Sequence, residues 1–563
     1  MVQQHMVVGI VGLGSLGQSL LRALDASGVR VIGVDSDPDV VARVRPRAGT
    51  ADVSGEFGRL GGADVVIEAV SRHTDAKEDV LRRLGALRPG VTALVTTAAS
   101  LSVPALAIAS GRPERLVGLR FAVPSSPRAG AQVVGTTMSA PEAVAAVEEL
   151  LPLLGHAVAP QGADPAVARE LLLPYLGRAV ALHEEGYASC EDIDTAMRLG
   201  CGLPAGPFEM LDAIGVDTVH RELDELHRRT GLAHHRPPAL LERMIAAGRL
   251  GRQSGRGFHT YDASGRRTGS GAQRRSTGGD PAVGHVGIVG TGTMARGIAQ
   301  SLALAGVGTT LVGRTLDRAE FARAAIGSSL ARSVERGRLD ADAARTALAR
   351  VHADHEPSVL FDCDLVIEAV VEDLPVKRAV FEQLDKVCRP GAVLATTTSS
   401  LSVAECAAST GRPEDVIGMH FFNPAQVMRL VEVVRTEATG DTAHATVHAV
   451  CAALGKTAVD CTDRTGFIVN YLLFPYLNHA VQALEGSPSL GVAEVDSSVE
   501  SLLGFPLGPF ALLDTVGLDV SLAILRRLHE SFGTEDFAPS PALVGLTALG
   551  HLGRKTGRGF HTP

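Results

Sequence analysis

Two stretches of this 563-residue chain set glycines where a nucleotide's phosphates would need bare backbone. VGIVGLGSLG, residues 8–17, puts Gly12, Gly14 and Gly17 directly after a short apolar run and at the start of a helical pattern. The first glycine permits a tight turn, the second lets the backbone approach a pyrophosphate, and the third lets helix and strand pack closely. The next apolar run, VRVIGVD, ends in Asp35, where an acid can hydrogen-bond the ribose hydroxyls of NAD. VGIVGTGTMARG repeats the pattern with Gly290, Gly292 and Ala295, but the position matching Asp35 is Gly313, followed by Arg314 and later Arg318. A carboxylate there would repel a 2'-phosphate and a guanidinium can pair with it. NADP(H) is therefore expected at the second site, with NAD(H) as the alternative and Arg314 then a solvated loop residue.

Elements of a definite kind must hold these turns. Each motif follows a short strand and opens a helix, and strands then alternate with helices, which predicts a parallel sheet covered on both faces. Long helical stretches follow, at residues 165–184 and 465–483. The pair of domains occurs twice. TTAASLSVPALAIASGRPERLVGLRF (96–121) aligns without gaps on TTTSSLSVAECAASTGRPEDVIGMHF (396–421), an offset of 300 residues, and LGRQSGRGFHT from Leu250 matches LGRKTGRGFHT from Leu552. The expected architecture is an α/β Rossmann-type domain plus an all-helical domain, duplicated in tandem. The boundaries are residues 1–160 and 161–261 for the first copy and 285–462 and 463–563 for the second. Between them, residues 262–284 are rich in Gly, Ser and Arg and read as an exposed flexible linker.

Composition excludes several classes. A formal charge of -9, with no basic stripe, argues against nucleic acid. No apolar run approaches the roughly 18 residues of a membrane span. Seven scattered cysteines fit a reducing cytoplasm, where Cys363, Cys388, Cys406, Cys451 and Cys461 are expected to be small core residues.

In the second half, TTTSSL, GMHFFNPAQVMRLVEVV and DRTGFIVNYLLFPYL resemble, in order and spacing, the signature blocks of the L-3-hydroxyacyl-CoA dehydrogenase family, from His285 to the end. The resemblance implies catalytic roles for Ser399, His420, Glu432 and Asn470. Chemistry explains the types. Oxidising a secondary alcohol by hydride transfer needs a base for the hydroxyl proton, a task suited to histidine as a residue type, and His420 is that base. Glu432 can hold the imidazole in one tautomer and stabilise the imidazolium. Ser399 and Asn470 can hydrogen-bond the reacting oxygen and the thioester carbonyl. A lone histidine on an apolar strand is more often a satisfied core residue, so the four together carry the reading. The resemblance further implies cofactor contacts by Glu372, Lys377 and Asn423. It also implies coenzyme A contacts by Ser329 and Arg336, on a helical pair at residues 317–336 and 340–351.

The first half matches the same fold without that chemistry. Ser399 aligns with Ala99, His420 with Arg120, Glu432 with Gln132, and, anchored on the shared PYL, Asn470 with Arg169. The span from Gly12 to Asp64 is also 22 residues shorter than that from Gly290 to Asp364, so the helical pair is absent. Dinucleotide binding through Gly12, Gly14, Gly17 and Asp35 is retained as an option. Because the family commonly pairs through its helical domains, the tandem is expected to form an internal pseudo-dimer, with a further homodimer left open. The leading expectation is an oxidoreductase that interconverts L-3-hydroxyacyl-CoA and 3-oxoacyl-CoA. The alternatives are an enzyme acting on a related hydroxyacid or acyl-carrier-protein thioester, and a non-catalytic dinucleotide-binding scaffold.

Overall fold

A computed structural model describes residues 6–70, 74–87, 90–97, 102–123, 129–160, 162–262, 265–269 and 283–561. Ala99 and most of the expected linker lie outside them. The N-terminal sheet contains β1 (Val7–Val11), β2 (Arg30–Val34), β3 (Asp52–Ser54), β4 (Val65–Glu68), β5 (Ala93–Thr96), β6 (Leu116–Phe121), β7 (Gly130–Val134) and β8 (Ala157–Val158), in the order β3-β2-β1-β4-β5-β6-β7-β8. A short hairpin, β9 (Thr260–Tyr261) and β10 (Arg267–Thr268), follows the first helical domain. The second sheet repeats the first with β11 (His285–Val289), β12 (Gly308–Val312), β13 (Val351–Asp354), β14 (Leu365–Glu368), β15 (Val393–Thr396), β16 (Val416–Phe421), β17 (Leu430–Arg435) and β18 (Thr457–Thr462), in the matching order.

The inner strands are parallel and buried, as their unbroken apolar runs require. The all-parallel expectation fails at one place in each sheet: β6 pairs antiparallel with β7, and β16 with β17. A loop of eight residues joins β16 to β17, too short for the crossover a parallel pair needs. This reversal sets His420 directly opposite Glu432.

The long helix expected from residue 465 starts at Val469, because Gly466 and Phe467 take positive φ angles of 81° and 46° and hold a tight turn ahead of it. The helical pair inserted in the second copy is present as Leu316–Glu335 and Ala341–Ala349, capped by the side chains of Thr315 and Asp340. Strand Arg267–Thr268 falls within the stretch where the sequence suggests a linker, and Arg267 is pinned there by Glu191 and Glu209. The repeated GRGFHT motif is a latch. Asp212 accepts the backbone N–H groups of Phe258 and His259, and Asp514 those of Phe560 and His561.

The two helical domains share one apolar core. Helix Pro165–Glu184 packs on helix Val469–Gly486, and Tyr175 meets its own counterpart, Tyr476, edge to face at 5.9 Å. A residue meeting its equivalent is the mark of a twofold relation between copies. Around it, Asp164 N–H donates to Ser498 (2.8 Å), Tyr187 to the Thr462 carbonyl (2.8 Å), and Arg464 pairs with Glu185 (2.6 Å). The five named cysteines are buried core residues. Among the described residues no helix is long and apolar enough to cross a membrane.

Candidate active site

In the second copy His420 Nδ1 lies 2.6 Å from Glu432 Oε2. Glu432 is fully buried, and its other oxygen accepts the backbone N–H groups of Ile468 (3.0 Å) and Val469 (2.9 Å). These are the otherwise orphaned donors at the start of helix Val469–Gly486, so the helix end anchors the carboxylate and the carboxylate aims the imidazole. Nε2 of His420 has no hydrogen-bond partner among the described residues. Phe422 and Phe467 flank the ring at 4.6 and 5.5 Å. The turn at Phe467 thus places an apolar wall and delivers the helix N-terminus to Glu432.

Asn470, the second residue of that helix, donates from its amide to the Ser399 carbonyl at 3.4 Å, so two of the expected residues touch. Glu372 organises the Ser399 loop. Its Oε1 accepts from Thr398 Oγ1 (2.8 Å), Ser399 N–H (2.8 Å), Ser399 Oγ (3.1 Å) and Ser400 N–H (3.1 Å). Burial opposes ionisation of Glu372, yet Lys377 and these donors hold its carboxyl below the ordinary value. Lys377 is only 1% exposed, with its ammonium on both oxygens of Glu368 (2.8 and 2.9 Å) and 3.4 Å from Glu372. It reaches the site through Glu372 in this arrangement. Asn423 is exposed in the loop after β16.

The glycine turn is formed at the sheet's crevice. Gly290 N–H donates to the Val312 carbonyl (2.9 Å), and a Cβ at Gly290 would strike the Ala369 carbonyl oxygen at 2.3 Å. Gly292 has open space on its Cα and caps helix Thr293–Leu304 without any side-chain hydrogen bond. Free N–H groups at a helix start beside bare backbone suit a pyrophosphate, so the residues present fit a dinucleotide. Ala295 is accommodated, fully buried, in the helix's first turn. Gly313 follows β12 as Asp35 follows β2, and Arg314 beside it is exposed. Ser329 lies half-buried on helix Leu316–Glu335, and Arg336 caps that helix, exposed.

The NAD-binding domain of 3-hydroxyacyl-CoA dehydrogenase matches residues 44–160 and 285–464, and the C-terminal domain of that family matches residues 167–261 and 466–562. The chain belongs to the 3-hydroxyacyl-CoA dehydrogenase family. It is an oxidoreductase fold with a nicotinamide-cofactor domain, present twice. A 3-hydroxybutyryl-CoA dehydrogenase of Mycobacterium tuberculosis is 42% identical over 283 residues, covering 50% of this chain and 99% of the relative. One from Bradyrhizobium diazoefficiens is 41% identical over 277 residues, covering 49% and 94%. The solved (S)-3-hydroxybutyryl-CoA dehydrogenase of Ralstonia eutropha is 36% identical, with a TM-score of 0.49, covering 50% and 99%.

The first copy carries a cleft of its own. A cleft of about 720 Å³ runs past Gly12, Gly14 and Asp35 to Lys77, Arg169 and Arg221. Asp35 accepts the N–H of Leu13 (2.7 Å) and of Asp37 (2.9 Å). In place of the dyad, Arg120 stands opposite Gln132. Gln132 donates to the Ala163 carbonyl (3.0 Å), and Arg169, the counterpart of Asn470, is bound to Glu222 at 2.6 Å. A buried ion-paired triad is common to both copies. Glu68, Lys77 and Thr96 form the same buried triad as Glu368, Lys377 and Thr396. All three residues are identical in both copies at the 300-residue offset, and that identity was the available signal.

Proposed function

We propose that the C-terminal copy interconverts an L-3-hydroxyacyl-CoA and its 3-oxoacyl-CoA. The carrying observation is the 2.6 Å contact between His420 Nδ1 and a buried, doubly hydrogen-bonded Glu432. Nδ1 is committed to the carboxylate, so the Nε2 lone pair takes the proton from the 3-hydroxyl as the C3–H bond breaks and C3=O forms. When bound, the nicotinamide accepts that hydride, or supplies it in the reverse direction. Glu432 stabilises the imidazolium formed, Asn470 and Ser399 fix the substrate's oxygens, and Glu372 keeps the Ser399 loop in place.

The cofactor reading is NADP(H), on Gly313 and the exposed Arg314 at the end of β12. The substrate reading includes coenzyme A contacts by Ser329 and Arg336 on the inserted helical pair, which the first copy lacks. The first copy acts as the silent partner of an internal pseudo-dimer. The deciding assay follows nicotinamide absorbance with acetoacetyl-CoA and the corresponding acyl-carrier-protein thioester. Turnover of the CoA ester is expected, and inactivity on every CoA ester tested overturns the proposal.

A further inference from the structure

Away from the cleft, helix Asp441–Ala453 carries His444 and His448 four residues apart, hence on one face. That face lies against β18, and both Nε2 atoms converge on a single oxygen, Oδ1 of Asp460, at 2.7 and 2.9 Å. The rings stand 4.3 Å apart at 54°. All three side chains are part-exposed, at 25%, 35% and 44%, so water can reach a further coordination position. Asp192, in the first turn of helix Cys190–Cys201 of the other copy, adds a second carboxylate beside Asp460. Among the described residues neither carboxylate is ion-paired with arginine or lysine.

We propose that His444, His448 and Asp460 form a binding site for a divalent transition-metal ion of the zinc class, clamping this helix to the edge strand beside the junction of the two copies. Two imidazoles and a carboxylate are the donor set of borderline ions such as Zn²⁺ and Co²⁺, whereas Mg²⁺ and Ca²⁺ want oxygens. Bonds of about 2.0–2.1 Å in a tetrahedral site set donors about 3.3 Å apart, so each contact opens by about half an ångström. Part-exposed side chains can make that shift. The first copy offers a control: the matching positions are Val144, Glu148 and Pro160, so both imidazoles and the Asp460 carboxylate are missing there.

In a second histidine cluster, His234 Nδ1 and His479 Nε2 likewise meet one oxygen, Oδ1 of Asp536, at 3.1 and 2.8 Å. It differs in charge, because Arg178 already pairs with Asp536.

The test uses the untagged full chain, stripped with EDTA and titrated with ZnCl₂ by calorimetry, and with CoCl₂ by visible absorbance. Wild type is expected to bind Zn²⁺ and to show the intense Co²⁺ bands of a four-coordinate site. His448→Ala and Asp460→Asn should each lose at least about tenfold in Zn²⁺ affinity and lose the Co²⁺ bands, while His234→Ala changes neither. Melting in EDTA should be similar for His448→Ala and wild type, which separates lost ligation from lost folding. Absence of Zn²⁺ binding to wild type overturns the proposal, as does an unchanged isotherm in His448→Ala or loss of the site in His234→Ala.

Discussion

His420 faces Glu432 across the antiparallel pair β16–β17, and at the same register of the first sheet Arg120 faces Gln132. The backbone frame for a proton-transfer dyad is thus built twice and furnished once. The arrangement requires that His420→Gln lower kcat by about 10² to 10⁴, the usual cost of removing a general base, while cofactor binding stays near wild type. Stopped-flow turnover and cofactor titration by fluorescence check both halves of the expectation. Activity within a few-fold of wild type would remove His420 from the base role. Glu432→Gln should also be strongly impaired. An amide cannot stabilise the imidazolium, and because both helix N–H groups meet one oxygen of Glu432 and His420 Nδ1 the other, its NH₂ must face either the two N–H donors or the ring.

Arg120 and Gln132 lead to the opposite expectation. Neither can accept a substrate proton at neutral pH, and Gln132 is engaged with the Ala163 carbonyl. Arg120→Ala and Gln132→Ala should leave kcat unchanged, with any loss tracking a lowered melting temperature. A large fall in kcat at unchanged melting temperature would reveal chemistry in the first copy.

Much of this was legible in the sequence, for identifiable reasons. Glycine turns and strand-to-helix alternation are local or repeated patterns, the duplication supplied an internal reference, and the resemblance to the family's signature blocks picked out His420, Glu432, Asn470 and Ser399. The reversal at β16–β17 was not legible, since strand direction depends on whether a short loop can cross the sheet. Nor was the burial of Lys377 against Glu368, because a lysine on a helix reads as exposed until the strand beneath it is known. His444 and His448 show helical spacing in the chain, but Asp460 joins them only through the packing of β18.

Stability against pH follows from the histidines where the copies meet. Burial first, then His479, pushes His234 down to about 3, and burial with His479 pushes His235 down to about 4; Asp536, Arg178, Arg229 and His227 also act on them. In the unfolded chain both titrate near 6.5. The unfolded state therefore binds more protons below that value, and their contribution, fully present above pH 6.5, declines as pH falls toward 4 and then 3. Melting temperature should drop between pH 7 and pH 4.5, and less steeply in His234→Gln. Parallel pH profiles for the two proteins would show that this cluster does not govern the acid limb.

The proposed preference for NADP(H) rests on Arg314 and the glycine before it. A charge-assisted contact with a 2'-phosphate contributes about 1.5 to 3 kcal/mol, so kcat/KM should favour NADPH over NADH by roughly ten- to a hundredfold. Restoring an acid at Gly313 is the obvious reversal, but the site is tight. A Cβ there would lie 3.0 Å from both Ala319 N and Thr315 O and 3.1 Å from Thr291 Cγ2, so the neighbours must give by a few tenths of an ångström. Gly313→Asp with Arg314→Ser should therefore shift the preference toward NADH at a cost in melting temperature. Arg314→Glu avoids that difficulty. The residue is exposed, the backbone at Gly313 is untouched, and a carboxylate beside the ribose repels the 2'-phosphate while tolerating a hydroxyl. Arg314→Glu is expected to lose NADPH activity by at least the wild-type preference and to keep NADH activity nearly constant. Wild-type kcat/KM higher with NADH, or an Arg314→Glu variant indifferent to the phosphate, would show that the guanidinium points into solvent.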